Sequence, residues 1–270
     1  MSVSSLRTRL AGWWRSLASL WPGNRPSRAW LGPRERPAAV VDPGTLEQGL
    51  RLLEVLREEG LDPATRRFVH LGLGEAPALP LLWSLAGAPE VVLVEPERLL
   101  DADLLRRTAA ALSRHASLLA ERLDLETEEV VRRLRCPGDC TFFEALRQFR
   151  MQYVAPYDLL RDPLPRREAD LVTARSPLEG YTRGYLKSVL ARAAEGLPSH
   201  SRLCLCIDQP EHYEYTTLLE EAGFRLEKDV HQPVLKVIQP GDAAVPPDDS
   251  RLHSYLVAVP ASRAQAGEEV

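Results

Sequence analysis

Four cysteines in 270 residues are too few to staple a scaffold of this size. Cys204 and Cys206 alternate inside an apolar run, which puts both on one face of a buried strand. Cys136 and Cys140, in CPGDC, have no second Cys or His pair at the spacing of a tetrahedral zinc site, so no metal is expected. Cysteine used this sparingly suits a reducing compartment. Also missing is any apolar run near the roughly 18 residues that span a bilayer, and the first residues show no signal-peptide cleavage pattern. A soluble, cytoplasmic chain is expected. Nor is there an excess of one charge sign: 34 Lys and Arg stand against 38 Asp and Glu, a net charge of -4, and no nucleic-acid partner is expected.

The length is ample for one α/β domain with an N-terminal extension. In residues 1–22 Leu6, Leu10, Trp13, Trp14, Leu17, Leu20 and Trp21 recur at near-helical spacing with Arg7, Arg9 and Arg15 among them. This reads as a basic amphipathic helix, which suits a membrane surface, a protein partner, or the domain's own surface. Residues 22–43, rich in Pro, Arg and Gly, read as an extended linker, so 1–43 is set apart from a main domain at 44–260 and a disordered tail at 261–270.

Arg67 to Glu95 is the stretch around which the domain is organised. A short apolar run, Phe68 to Leu71, meets Gly72-Leu73-Gly74; a helix-compatible segment runs to Leu85; a second apolar run, Val91 to Val94, ends on Glu95. That is one βαβ unit of a parallel sheet. A glycine turn between strand and helix lets a ligand approach the backbone closely. Glu95 stands 21 positions after Gly74, the spacing at which a carboxylate accepts both hydroxyls of a ribose held across the crevice. The pattern points to a ligand containing a nucleoside.

Upstream, DPGTLEQGLRLLEVLREEG predicts a helix with a Thr45/Gln48 capping box, closed by Gly60 and packed beside the first strand. After Glu95, residues 97–150 form an insertion that reads as helical at Leu99 to Leu112, Leu118 to Leu123 and Thr141 to Phe149. It suits a lid, a partner surface or a structural elaboration. Strands follow at Met151 to Ala155, Ala169 to Ala174, Leu203 to Asp208, Phe224 to Val230 and Ser254 to Val259, with helices at Tyr181 to Glu195 and Tyr213 to Ala222. The last two strands are expected to pair antiparallel.

This order resembles the class I S-adenosylmethionine-dependent methyltransferase fold over roughly residues 45–260. The resemblance implies a Rossmann-like three-layer α/β sandwich with a seven-stranded, mostly parallel sheet whose last strand is antiparallel. The family's acid, apolar residue and G-x-G-x-G align with His70, Leu71, Gly72, Leu73, Gly74, Glu75 and Ala76, so the acid is His70 and the third glycine Ala76. In finer detail TFFEALRQFRMQYVAPYDLL, ADLVTARSPLEG and LCLCIDQPEHYEY are similar to segments of bacterial methyltransferases found with sugar and cell-surface polysaccharide biosynthesis, with Gly180 where those carry a His.

The resemblance implies S-adenosylmethionine as cofactor and a small-molecule or glycan precursor as acceptor. It puts Gly72 and Gly74 beside the methionine moiety, Glu95 on the ribose and Asp158 near the adenine, with His70, Glu75, Pro96 and Arg175 as further cofactor-site candidates. Methyl transfer from a sulfonium is largely in-line positioning, with a base where the acceptor is a hydroxyl. Glu179, Asp208 and His212 are the candidate bases, because they are expected on loops at the carboxyl ends of strands. Tyr181, Tyr213 and Tyr215 suit either an acceptor pocket or the core. Two other readings stay open: a methyltransferase-like scaffold without catalysis, and a nicotinamide-dependent oxidoreductase, against which Pro77 stands where G-x-G-x-x-G needs its third glycine.

Overall fold

Strands covered by helices on both faces must be apolar on both faces, and the central strands here are. The computed structural model describes residues 41, 43–72, 77–158, 160–162, 169–175, 183–208, 212–234 and 248–261, with the backbone alone at Arg175, Asp208, 212–214, 231–234 and 248–253. The expected N-terminal helix lies outside the described residues, as do the linker except Val41 and Pro43 and the tail except Ala261; Val41 is buried and Pro43 is already helical, so the linker ends before 43. The elements are α1 (Pro43–Glu58), β1 (Arg67–Leu71), α2 (Ala78–Leu85), β2 (Glu90–Val94), α3 (Ala102–Ser113), α4 (Ala116–Leu123), α5 (Thr127–Leu134), α6 (Phe142–Gln148), β3 (Met151–Val154), β4 (Leu171–Arg175), α7 (Arg183–Gly196), β5 (Arg202–Asp208), α8 (His212–Glu221), β6 (Phe224–Val234) and β7 (Asp248–Pro260).

One seven-stranded sheet has the order β3-β2-β1-β4-β5-β7-β6. β3, β2, β1, β4 and β5 run parallel, and β7 lies antiparallel between β5 and β6. This is the Rossmann-like methyltransferase fold, as expected, with the pair β6/β7 antiparallel. Both strands are longer than the apolar pattern implied. Their mutual ladder recruits polar residues at the outer ends that hydrophobic periodicity does not mark.

Alternation along the strands divides the interior in two. Phe68, Val91, Leu93, Leu171, Cys204, Cys206, Tyr255 and Val257 face a first core shared with α1 and α2. Val69, Val92, Val94, Val172, Ala174, Leu203, Leu205, Ile207, Leu256 and Ala258 face a second core shared with α7 and α8. Cys204 and Cys206 therefore share one face, as their spacing requires.

The insertion belongs to the first core. Leu104, Leu105, Leu112, Leu119, Leu123, Val130, Leu134, Leu146 and Phe149 are buried in it. Arg122 on α4 also bridges to Glu54 and Glu47 on α1, at 2.6 and 3.2 Å. The helix α5 was not foreseen, because only Val130 and Leu134 of its eight residues are buried and the rest read as a solvated stretch.

α1 begins at Pro43, which suits a first helical position. Thr45 therefore lies inside the first turn and Gln48 is buried, so the expected capping box does not form the helix start. At the other end Gly60 adopts φ +71, with Gly60 N–H donating to Arg57 O and Leu61 N–H to Leu56 O, the paired bonds of a left-handed helix stop. α1 packs against α2, β5 and β7, in the core that also holds Phe68 of β1.

Trp83 on α2 is the largest side chain wholly inside the first core, and its ring stacks on Phe68 of β1 at 5.4 Å. Trp83→Ala is expected to destabilise the fold by about 3 to 5 kcal/mol through lost burial and the cavity left behind. Urea denaturation checks it. A loss below about 1 kcal/mol would contradict this packing.

Candidate functional site

Strands on one side of β1 are reached by the chain first, and those on the other side later, so the direction of sheet growth reverses between β1 and β4. In open α/β sheets the crevice at the carboxyl end of such a switch point is where ligands bind. The register defines its rim. Leu71 pairs with Val94 and with Ala174, and Val94 pairs with Val154. The next row along the same edge is Gly72, Glu95, Ala155 and Arg175.

Gly72 adopts φ +89, a region that favours glycine, and its N–H donates to Val94 O at 3.0 Å. Among the described residues no heavy atom lies within 4 Å of where a Cβ would stand. Apart from its chain neighbours, the described residues thus leave the backbone open to close approach at this point. Glu95 follows β2 directly and is only 1% exposed. Its N–H donates to Val154 O and its carbonyl accepts from Tyr157 N–H, both at 3.0 Å, which fixes the backbone from which the carboxylate projects. Pro96 comes next and is half-buried.

Asp158 lies beyond β3, two residues after the cis Ala155–Pro156 bond. Its Oδ1 accepts from Leu160 N–H at 3.1 Å, Arg161 approaches Oδ2 at 3.7 Å, and its own N–H donates to Asp162 Oδ2 at 2.8 Å. The loop is a self-bonded turn. Tyr157 hydroxyl closes it by donating to Asp162 O at 3.1 Å, and burial, then the Asp162 carboxylate, pushes that hydroxyl up to about 12. Tyr157 therefore stays a donor.

Tyr153 was not singled out from sequence, because it reads as an ordinary alternating strand residue. Its hydroxyl accepts from Leu99 N–H and Leu100 N–H at 2.9 and 3.2 Å and donates to Glu97 O at 3.0 Å. Burial raises it above the usual tyrosine range. Together with Arg98 Nε donating to Ala155 O at 3.2 Å, it ties the segment after Glu95 to β3.

His70 lies one row below the rim, on the first-core face of β1. It is 3% exposed, its Nδ1 is 2.8 Å from Thr173 Oγ1 on β4, and its ring meets Trp83 edge-on at 6.4 Å. One ring nitrogen is thus committed to a bond that joins the two strands flanking the switch point. Burial lowers its pKa to about 3, so the imidazole is neutral. Thr173 carried no sequence signal, since only the β1/β4 register brings it opposite His70.

Arg175 ends β4 opposite Cys206, and Asp208 ends β5 opposite His253. His212 is the first residue of α8. These three share the carboxyl edge or the turn just beyond it. Gly74, Glu75, Ala76, Glu179, Gly180 and Tyr181 lie outside the described residues. Tyr215 is buried in the second core. Among the described residues no cluster of metal-ligating side chains occurs, and no helix is long and apolar enough to cross a membrane.

No protein-family model and no curated protein matches the sequence. Solved structures to which the chain is similar include N-methyltransferase NodS from Bradyrhizobium japonicum in complex with S-adenosyl-L-homocysteine, at 12% identity over 85% of this chain and 94% of that one, TM-score 0.46. Magnesium protoporphyrin IX methyltransferase from Synechocystis, with bound S-adenosylmethionine, matches at 13% identity over 81% and 80%, TM-score 0.44. A TehB-like S-adenosylmethionine-dependent methyltransferase from Corynebacterium glutamicum matches at 14% identity over 94% and 98%, TM-score 0.44. These are distant likenesses of fold, and the strand order of the chain itself identifies its architecture.

The neutral His70 has a thermodynamic consequence. Its folded pKa of about 3 lies below the ordinary value of 6.5. Below pH 6.5 the unfolded chain takes up a proton that the folded chain refuses, so stability is full above that pH and falls as pH drops toward 3. The slope from this one group is about 1.4 kcal/mol per pH unit. Between pH 7 and pH 5 wild type should lose about 2 kcal/mol more than His70→Asn, measured by urea denaturation at both pH values. Equal losses in the two proteins would contradict a buried, neutral His70.

Proposed function

We propose that the chain binds S-adenosylmethionine in the crevice between β1 and β4 and transfers its methyl group to a small molecule or glycan precursor. The observation that carries this reading is Glu95, a buried carboxylate on the rim beside the open backbone of Gly72. A carboxylate at this strand end can accept from a pair of ribose hydroxyls, each bond worth about 1.5 to 3 kcal/mol when made to a charged acceptor. The donor set of the site fits the cofactor.

By the resemblance Gly72 and Gly74 would border the methionine moiety, Glu95 would accept from the ribose hydroxyls and Asp158 would lie near the adenine, with Pro96 a further cofactor-site candidate. Glu75 and Arg175 are further cofactor-site candidates, and Arg175 ends β4 at the same edge. When bound, the cofactor supplies a sulfonium methyl already activated for attack. The chain's own task is to hold an acceptor in line with it and to exclude water. For a hydroxyl acceptor, the proton would pass to one of the candidate bases, Glu179, Asp208 or His212. Kinship to the bacterial sugar and polysaccharide-associated methyltransferases is the finer form of this reading, and rests on the three segments quoted above.

A second reading has one observation in its favour. His70 stands where the family's acid would be, and its ring is neutral and bonded to Thr173. A scaffold that has lost catalysis would tolerate that change. The oxidoreductase reading has less support, since antiparallel β7 departs from the all-parallel dinucleotide-binding sheet and Pro77 precedes α2 as its cap.

Calorimetric titration with S-adenosylmethionine tests the proposal. Wild type should bind, and Glu95→Ala should bind at least about tenfold more weakly, a loss of about 1.4 kcal/mol. No binding by wild type at millimolar ligand would end the enzyme reading and leave the scaffold. Gly72→Ala should also weaken binding and cost about 1 to 3 kcal/mol of stability, because a Cβ is strained at its φ of +89. Paired titration and urea denaturation separate those two effects.

A further inference from the structure

Cys136 and Cys140 flank the turn between α5 and α6, and their Sγ atoms are 3.0 Å apart. Both are free thiols, partly exposed, and packed on the edge of the first core. The turn between them is held from several sides. Cys140 N–H donates to Pro137 O at 3.4 Å within it. Arg106 on α3 donates to Gly138 O, and Gln148 on α6 donates to Arg135 O. These bonds fix the backbone that carries both sulfurs. Closing from contact to a disulfide, at about 2.05 Å, asks for a movement of about 1 Å. The other two cysteines differ: Cys204 and Cys206 are wholly inside the sheet.

We propose that Cys136 and Cys140 form a dithiol that hydrogen peroxide converts to an intramolecular disulfide, a reversible modification site in the helical insertion. One sulfur, as thiolate, attacks the O–O bond and takes up a hydroxyl as sulfenic acid, and the first water leaves. The second sulfur then attacks that sulfenic sulfur; the S–S bond forms, the S–O bond breaks, and the second water leaves. The two sulfurs give up two electrons, the peroxide accepts them, and both thiol protons end in water. Burial, then the neighbouring Cys140, pushes the Cys136 thiol up to about 12 while Arg106 pulls it down. A thiol raised in this way holds little thiolate and attacks slowly, so oxidation calls for excess peroxide.

Trypsin makes the test direct, since Cys136 to Arg147 is one peptide holding both cysteines, and Leu203 to Arg225 holds the other two. The purified chain is exposed to excess hydrogen peroxide, unfolded in an alkylating reagent, digested and weighed. The first peptide should appear unalkylated and two hydrogen atoms lighter, and dithiothreitol should return it to the doubly alkylated form. The Leu203 to Arg225 peptide should be doubly alkylated throughout. With Cys140→Ser, dimedone should trap a sulfenic acid on Cys136 and no disulfide should form. The proposal is overturned if Cys136 and Cys140 end as sulfinic or sulfonic acids, if the bond joins two chains, or if both remain alkylatable after a free-thiol peptide in the same tube is fully oxidised.

Discussion

The parallel register around β1 is the constraint on which the rest depends. Leu71 opposite Val94 on one side and Ala174 on the other brings Gly72, Glu95 and Arg175 into one row at the sheet's edge. A slip of one residue would turn Phe68 and His70 toward the second core and Val69 toward the first. Both cores oppose that slip. The crevice is thus positioned by burial on the two faces, and its rim residues need no packing of their own to stay aligned.

The two faces are not equivalent. The second core is closed by α7 and α8, whereas the first carries α1, α2 and the whole insertion. Leu105, Leu112 and Leu119 bury as deeply as the strand residues, so the insertion is a packed layer of the domain. Under the crevice, on this same face, lies a polar contact between β1 and β4 side chains, His70 to Thr173. Bonding offsets much of what burying the two groups costs, and leaves either one expensive to orphan.

Beside Glu95 the wall is built from backbone bonds and two tyrosines. Tyr153 holds residues 97 to 100, Tyr157 holds the turn to Asp162, and Glu95 is bonded through its own peptide groups to both β3 and Tyr157. A carboxylate carried on so fixed a backbone loses little freedom when a ligand arrives, which is what pre-organisation contributes to affinity. The cysteine pair lies on the connection between α5 and α6, upstream of α6 and β3, and so belongs to the layer that supports this wall and not to the crevice.

How far the sequence can be read follows from the range of the forces involved. Apolar alternation and the glycine turn are local, and from them came the strands, most of the helices, the rim positions Gly72 and Glu95, and the antiparallel close. The segment from Asp42 marks the start of α1 locally, but the Thr45/Gln48 cap pattern falls inside the first turn, where Pro43 and the buried face of the helix override it. α5 was missed because two buried residues are too few to set a period. The contacts of His70 with Thr173, Tyr153 with residues 97 to 100, and Cys136 with Cys140 depend on register, loop closure and neighbouring helices. By itself the sequence determined the alternation that makes a covered parallel sheet and the glycine and acid at its edge. Only the tertiary structure decided which side chains meet there, because distance between groups far apart in the chain is set by packing and not by spacing.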